Sequence, residues 1–265
     1  MTSSNTAEPA TQLDHVVILL PYSYLASPPS WLTENFTLSP GGRHTDNKTE
    51  NRLILFPDGT YIELISFIHD DPKKREGHRW NKPYGIIDYA LTTKSDFDYD
   101  GIVVRLRDTG SGISYQEPEA GGRKRPDGVD LKWKVTHPIG AERGEVPFWC
   151  HDVTPRDRRV PEGGSHACGA LGMAGLRVEV PEETARRVEA ALPAITKQSK
   201  LDSGFAVGHP KRVDDLKAGF LKVQALQSDD DERQRLTLVL QAPGQTPRDI
   251  DAAVEGGHVR IQVQP

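Results

Sequence analysis

Apolar residues along this chain recur mostly at every second position, in short runs bounded by Gly, Pro, Asn and Asp, which predicts many short strands and few helices. Over residues 13–21, Leu13, His15, Val17 and Leu19 share one face and Asp14, Val16, Ile18 and Leu20 the other, so this strand is apolar on both sides. Pro28-Pro29-Ser30 predicts a short helical turn over residues 31–36 with Ser30 as its cap. After a turn at Gly41-Gly42 and a polar loop, residues 51–56 and 60–67 alternate as two strands joined by a Pro57-Asp58-Gly59 hairpin turn.

The same order returns after a charged linker over residues 70–78. A strand over residues 86–93 precedes a loop and helix over 94–107, and strands follow over 113–117, 131–136 and 146–152. Gly121-Gly122-Arg123 echoes Gly41-Gly42-Arg43, and Pro126-Asp127-Gly128 echoes the earlier turn. Repetition at roughly 80 residues predicts two copies of one supersecondary unit. A partial third copy follows the Gly-rich segment 163–175: a strand over 176–180, a helix over 181–195, and a closing hairpin of 221–226 with 235–241 around the acidic loop 228–232. A short helix over 247–255 and a last strand over 259–263 complete the chain. The units divide as a disordered N-terminus over residues 1–12, a first module over 13–69, a second over 79–155, and a C-terminal partial module over 166–265 packed on the same domain.

Composition narrows the class of function. The chain has 265 residues with 33 Lys and Arg against 38 Asp and Glu, a formal net charge of -5 and no basic stripe, so nucleic acid is not expected as a partner. No apolar run is long enough to span a bilayer, and the polar N-terminus lacks the basic and apolar regions of a secretory signal, which predicts a cytoplasmic protein. Cys150 and Cys168 are too few for a disulfide framework and are expected as free thiols. The 24 glycines and 20 prolines reinforce the strand-rich reading, α+β in class.

Two ionisable residues stand out against apolar strand faces. His15 lies in the first strand of the first unit, and Glu63 in its last, in register with Tyr61 and Ile65. A carboxylate on a covered sheet face needs a cation or hydrogen bonds. A divalent metal shared with His15 satisfies that requirement; pairing of Glu63 with an arginine or with backbone, beside a hydrogen-bonded core histidine, also satisfies it.

Leu13-Asp14-His15-Val16-Val17, Gly41-Gly42-Arg43-His44, Thr49-Glu50-Asn51-Arg52-Leu53-Ile54 and residues 58–65 together resemble the glyoxalase-like domain family of the vicinal oxygen chelate superfamily. Arg125-Pro126-Asp127-Gly128, Pro147-Phe148-Trp149 and His166-Ala167-Cys168-Gly169-Ala170 are similar to that family's later segments. The resemblance implies paired βαβββ modules forming a cup-shaped mixed sheet, with a metal held by a His of the first strand and a Glu of the fourth. His15 and Glu63 match those positions. Asp88 stands near the equivalent of His15 in the second module, and Cys150 or His151 near that of Glu63, so the second module departs from the metal-binding pattern. Three ligands, completion by His44 or His166, or a cup without metal are all consistent with it.

The resemblance further implies a metal-assisted isomerase, lyase or ring-opening enzyme acting on a small oxygenated organic molecule. The ion would be Mn, Fe, Co, Ni or Zn, on His15, Glu63, Asp88 and His151. Glu63 and His44 are the expected catalytic residues, since imidazole titrates near physiological pH. Arg43, Asn51, Arg125, Trp149 and His166 are the expected substrate contacts, with Trp31, Trp133 and Phe148 as further apolar walls. The alternatives are a metal-free small-molecule binding protein with the same cup, and an iron-dependent dioxygenase. Either a monomer or a homodimer accommodates two modules in one chain. Asp96, Asp98 and Asp100 have the opening spacing of a calcium loop, but Arg107 stands where the closing glutamate is required.

Overall fold

The computed structural model describes residues 9–125, 127–227 and 233–265. The first unit comprises β1 (Thr11–Leu19), α1 (Tyr22–Ala26), α2 (Ser30–Thr33), β2 (Ser39–His44), β3 (Thr49–Leu55) and β4 (Tyr61–Phe67). After α3 (Pro72–Arg75) the second comprises β5 (Gly85–Thr93), α4 (Tyr99–Arg107), β6 (Ser114–Tyr115), β7 (Glu119–Lys124), β8 (Asp130–Thr136), β9 (Pro138–Ile139) and β10 (Phe148–Asp152). Beyond α5 (Arg156–Arg159) come β11 (Gly172–Val180), α6 (Glu182–Thr196), β12 (Phe205–Val207), β13 (Gly219–Ala225), β14 (Arg235–Gln241), β15 (Arg248–Val254) and β16 (Gly257–Gln264).

Hydrogen bonding closes eight of these strands into a ring in the order β1, β4, β3, β2, β7, β8, β10, β5, with β5 returning to β1. In each unit the first and last strands pair parallel, β1 with β4 and β5 with β10, which is the structural form of the internal repeat. The two units are stitched at the far side by β2 and β7, where His44 lies opposite Arg123. The ring is the cup. From β5 the sheet continues through β16, β14, β11, β13 and β12, with β11 and β13 parallel across α6 and β15 folded back on β16.

The pleat sends side chains to two compartments. Val16, Ile18 and Leu20 join the large core under the helices, where α6 contributes Val188, Leu192 and Ile195. Val17 and Leu19 instead join Ile65, Phe67, Ala90, Phe148 and Cys150 in a smaller cluster. Full burial of each such aliphatic side chain contributes about 1.5–3 kcal/mol, so both compartments stabilise the ring.

Several local expectations need correction. Ser30 is the first residue of α2, with Pro29 in the capping position and no side-chain cap. Gly41 and Gly42 lie within β2 and make no turn. β13 and β14 do not form a hairpin, because β11 lies between them and pairs with both. The segment expected as a helix near the C-terminus is β15; its buried Ile250, Ala252 and Val254 alternate with exposed residues, a period of two that wins over the weak helical pattern. Asp98 caps α4 by accepting from the Gly101 N–H at 3.0 Å, which is the use of the aspartate cluster that mimics a calcium loop. β1 begins at Thr11, so Thr11 and Gln12 are buried strand residues. Residues 1–8, Pro126 and the acidic run 228–232 lie outside the described residues. Among the described residues no helix is long and apolar enough to cross a membrane.

Candidate active site

A cavity of about 190 Å³ opens inside the ring, walled by residues of β1 to β4, β7, β8 and β10 and by the segment 78–80. His15 projects into it from β1, stacked on Tyr61 at 4.6 Å between centroids and set edge-on to Phe148. Its Nδ1 lies 2.6 Å from Asp14 Oδ2, and its Nε2 faces Glu63 Oε2 at 3.7 Å. With Nδ1–H donated to Asp14, the opposite nitrogen is presented to the cup. A β-bulge in the β1–β5 pairing between Leu13 and His15 accompanies this contact between neighbours in sequence.

Glu63 is 6 % exposed and accepts a hydrogen bond from Asn51 Nδ2 at 2.6 Å, while His44 Nε2 stands 3.4 Å from the same oxygen. Burial pushes the carboxyl up, but the hydrogen bond and charge of His44, the charge of His15 and the Asn51 amide together outweigh it and hold the pKa at about 2. Asn51 is aimed by the glycine pair: its Oδ1 accepts from the Gly42 N–H at 2.9 Å. A Cβ at Gly41 would lie 2.1 Å from that Oδ1, and one at Gly42 would lie 2.5 Å from the Lys124 carbonyl, so only glycine allows this approach. His44 is oriented by Thr49 Oγ1, 2.8 Å from its Nδ1.

Behind the floor is a buried ionic cluster. Asp14 is fully enclosed and accepts from Arg156 and, at 3.2 Å, from Arg159, whose guanidinium also donates to Asp152 and to the Tyr61 hydroxyl at 2.7 Å. Burial alone would raise the Asp14 pKa, yet the two arginines and His15 hold it well below the usual carboxylate range. On the opposite wall Arg143 bridges Asp88 at 3.1 Å and His137 Nδ1 at 2.8 Å, and Arg79 approaches the other nitrogen of His137. Burial, then Arg143 and Arg79, bring the His137 pKa down to about 2, so this imidazole is neutral.

His15, His44, Asn51, Glu63, Trp133 and Phe148 therefore meet on the cup wall. Asn51 has its carboxamide committed to Glu63 and Gly42, which makes it a support of the carboxylate where substrate contact was expected. Other expected site residues lie elsewhere. Asp88 is taken up by Arg143, which meets its charge without an ion. His151 and Trp149 point away from the cup, stacked on each other and near Phe97, because alternation along β10 gives the cavity Phe148 and Cys150. His166 packs against Phe36 and Phe56, with Nδ1 accepting from the Thr37 N–H and Nε2 beside the Leu55 carbonyl. Arg43 meets Glu50 at the surface, Arg125 meets Asp127 and the Arg158 carbonyl, and Trp31 packs on the large core. The cup-lining Arg79, Arg123, Arg159, Trp80 and His137 were not anticipated. Arg123 was hidden in a Gly-Gly-Arg run that reads as a turn, although its alternation with Gly121 is that of a strand face.

The family model described as the glyoxalase-like domain matches residues 13–196. The chain belongs to the glyoxalase-like domain family. A solved structure of a hypothetical protein from Staphylococcus aureus is similar over 96 % of this chain and 100 % of its own, at 13 % identity and a TM-score of 0.63, a likeness of fold alone. Lesser similarity extends to a xylose isomerase-like TIM barrel/4-hydroxyphenylpyruvate dioxygenase fusion protein (12 % identity, 91 % of this chain, 38 % of that chain, TM-score 0.47) and to methylmalonyl-CoA epimerase from Mycobacterium tuberculosis (20 %, 51 %, 83 % and 0.30). Comparison with curated proteins finds none that matches. The closed, sheet-built cup with few helices is the α+β fold of the vicinal oxygen chelate superfamily, to which the glyoxalase-like family belongs.

Divalent metals are common in this superfamily, so the donor chemistry of the glyoxalase-like cup bears on one. Among the described residues, Asp14, His15 and Cys150 bring one ligand atom each to within 4.8 Å of one another. Asp14 is already bound by two guanidinium groups, and burial pushes the Cys150 thiol far above its usual range, so that set is poorly disposed to a cation. On the cup side, His15, His44 and Glu63 offer two imidazoles and a carboxylate, the donor set of three-ligand catalytic sites. The Asp14 contact to His15 Nδ1 is the outer carboxylate that such ligands carry. These side chains fit a divalent ion in chemistry, although not all their donor atoms lie within 4.8 Å of one another.

Proposed function

We propose that this chain is an enzyme that moves a proton on a small oxygenated organic molecule held in the cup, in isomerase or lyase chemistry. The observation that carries the reading is Glu63, buried between the Nε2 atoms of His15 and His44 on a cavity wall. A carboxylate whose pKa is about 2 is a poor proton acceptor, so Glu63 acts as a fixed negative charge that favours a cationic neighbour. The proton is then assigned to His44. Its side chain is 12 % exposed against 4 % for His15, which sets it closer to solvent, and Thr49 fixes its ring. His15, buttressed by Asp14, holds its Nε2 toward the carboxylate and stacks on Tyr61, so its position is set by the cluster behind the floor. Tyr61, Trp133 and Phe148 narrow the cavity with apolar surface and limit water around the reacting group.

His15 and Glu63 would hold a divalent ion, which when bound supplies Lewis acidity toward a carbonyl, enol or epoxide oxygen and leaves His44 free to move the proton. The test uses protein purified without chelator, its metal content, and its melting temperature with Mn, Fe, Co, Ni or Zn added. Wild type is expected to be stabilised by at least one ion and Glu63→Gln by none. Equal stabilisation of both would remove Glu63 from the site. No bound metal and no shift in wild type would remove the ion and leave acid–base chemistry by His44, which the engagement of Asp88 with Arg143 favours.

A further inference from the structure

Every buried side-chain polar atom on the cup wall that lacks a hydrogen-bond partner among the described residues is a donor: Arg123 Nη1 and Trp80 Nε1. Arg123 is 6 % exposed and makes no direct ion pair among the described residues, the Glu63 carboxylate of the same cup acting on it only through space. A buried guanidinium without a counter-ion is costly, and folded proteins keep one only where something else supplies the charge. β7 gives Arg123 no alternative, because alternation with Gly121 turns it into the cavity, and the pairing of β7 with β2 sets it opposite His44. The neighbouring glycine makes room for the guanidinium: a Cβ at Gly42 would come within 3.5 Å of Nη1.

The opposite wall carries a second guanidinium. Neutral His137 can accept from only one of the two guanidinium groups that flank its ring, and Arg143 already has Asp88. With Asp88 meeting Arg143, His137 is the acceptor for Arg79, which lines the cup as a cation with no ion pair among the described residues. The buried unpartnered side-chain atoms of the cup wall are both donors and one is cationic, which calls for a ligand that brings acceptors and negative charge.

We propose that the substrate of this cup is a small organic anion whose carboxylate is bound by Arg123 beside His44, with the remainder of the molecule against Tyr61, Trp133 and Phe148. The proposal takes the cup as the reaction site argued above and adds the chemical class of what enters it. Binding next to His44 places carbons adjacent to the carboxylate within its reach, where a proton would be transferred. Arg123 is then a substrate-binding residue, and the planar fork of arginine suits the two oxygens of a carboxylate. Phosphonate shares the same acceptor chemistry, and the choice of probes separates the two.

The experiment measures binding of benzoate, benzamide and phenylphosphonate by calorimetry to wild type, Arg123→Lys and Arg123→Met, alongside the melting temperature of each variant without ligand. Benzoate is expected to bind wild type at least ten-fold more tightly than benzamide, its uncharged isostere. Arg123→Met should lose at least ten-fold for benzoate with benzamide unchanged, and Arg123→Lys should fall between. Without ligand, Arg123→Met should melt at or above the wild-type temperature, since it removes a buried charge that has no partner. Equal binding of benzoate and benzamide, no binding of any probe, or a marked drop in melting temperature for Arg123→Met would overturn the assignment. Tighter binding of phenylphosphonate than of benzoate would overturn the carboxylate in favour of a phosphonate. Metal titration of wild type and of Arg123→Met separates this inference from the reading of the site: a metal response retained in Arg123→Met with lost benzoate binding supports both, whereas benzoate binding by wild type without any metal response supports the anion site and removes the ion.

Discussion

Replacement of Asp14 by Asn perturbs the support of the site without touching the cavity. Asp14 is fully buried and carries the charge that balances Arg156 and Arg159 and anchors His15. Breaking a buried pair by neutralising one partner typically costs 3–5 kcal/mol. Asp152 remains on both arginines, reaching Arg159 through two of its nitrogens, so the lower end applies, about 3 kcal/mol. For a chain of this length that is a fall in melting temperature of roughly 6–12 °C. Chemical denaturation at several pH values is the assay. Because the folded-state pKa of Asp14 is depressed below its ordinary 3.8, its contribution is complete above that pH and is lost as acid carries the solution toward the folded pKa. The gap between wild type and Asp14→Asn should therefore hold steady from pH 7 to 5 and narrow below 3.8, by about 1.4 kcal/mol for each pH unit. A difference under about 1 kcal/mol at pH 7, or a gap that stays constant to pH 2.5, would refute the role given to the cluster.

Three further outcomes follow from the same geometry. Gly42→Ala places a methyl 2.5 Å from the Lys124 carbonyl and disturbs the bond that aims Asn51, so thermal denaturation should show a loss of about 1–3 kcal/mol together with a weaker metal response. His44→Ala removes the largest favourable influence on Glu63, so urea denaturation at pH 7 should show a loss of about 1–3 kcal/mol and the pH at which that carboxyl protonates should rise. Iodoacetamide at pH 8 should leave Cys150 and Cys168 unmodified in the folded protein and alkylate both after denaturation, because both thiols are buried and shifted upward by that burial.

What could be read from the chain was what local alternation controls. Strands β1, β3, β4, β5, β8 and β10 and the Pro57-Asp58-Gly59 turn follow from period-two patterning and turn chemistry, whereas β2 and β7 were masked by their glycines; His15 and Glu63 were visible as ionisable residues on apolar faces. Pairing between distant strands is set by tertiary contacts, so β11 inserting between β13 and β14 left no local mark. The site divided in the same way. Asp88 and His151 have the right residue types near the right positions, but partner choice and strand phase decide their use: Arg143 claims one, and β10 turns the other outward. Asp14 was read only as one position on a strand face, because the arginine partners that make it a buried ionic centre come from α5, more than 140 positions along the chain. Arg123 was missed because its glycines serve close strand packing, and glycine in sequence signals a turn more often than a strand.

The most direct test is a carbon-13 NMR titration of the Glu63 side-chain carboxyl in the folded protein, assigned by comparison with Glu63→Gln. A buried carboxylate fixed between the imidazoles of His15 and His44 should protonate near pH 2. A midpoint at or above the ordinary value of 4.5 would contradict that, and with it the charged centre on which the proposed chemistry depends.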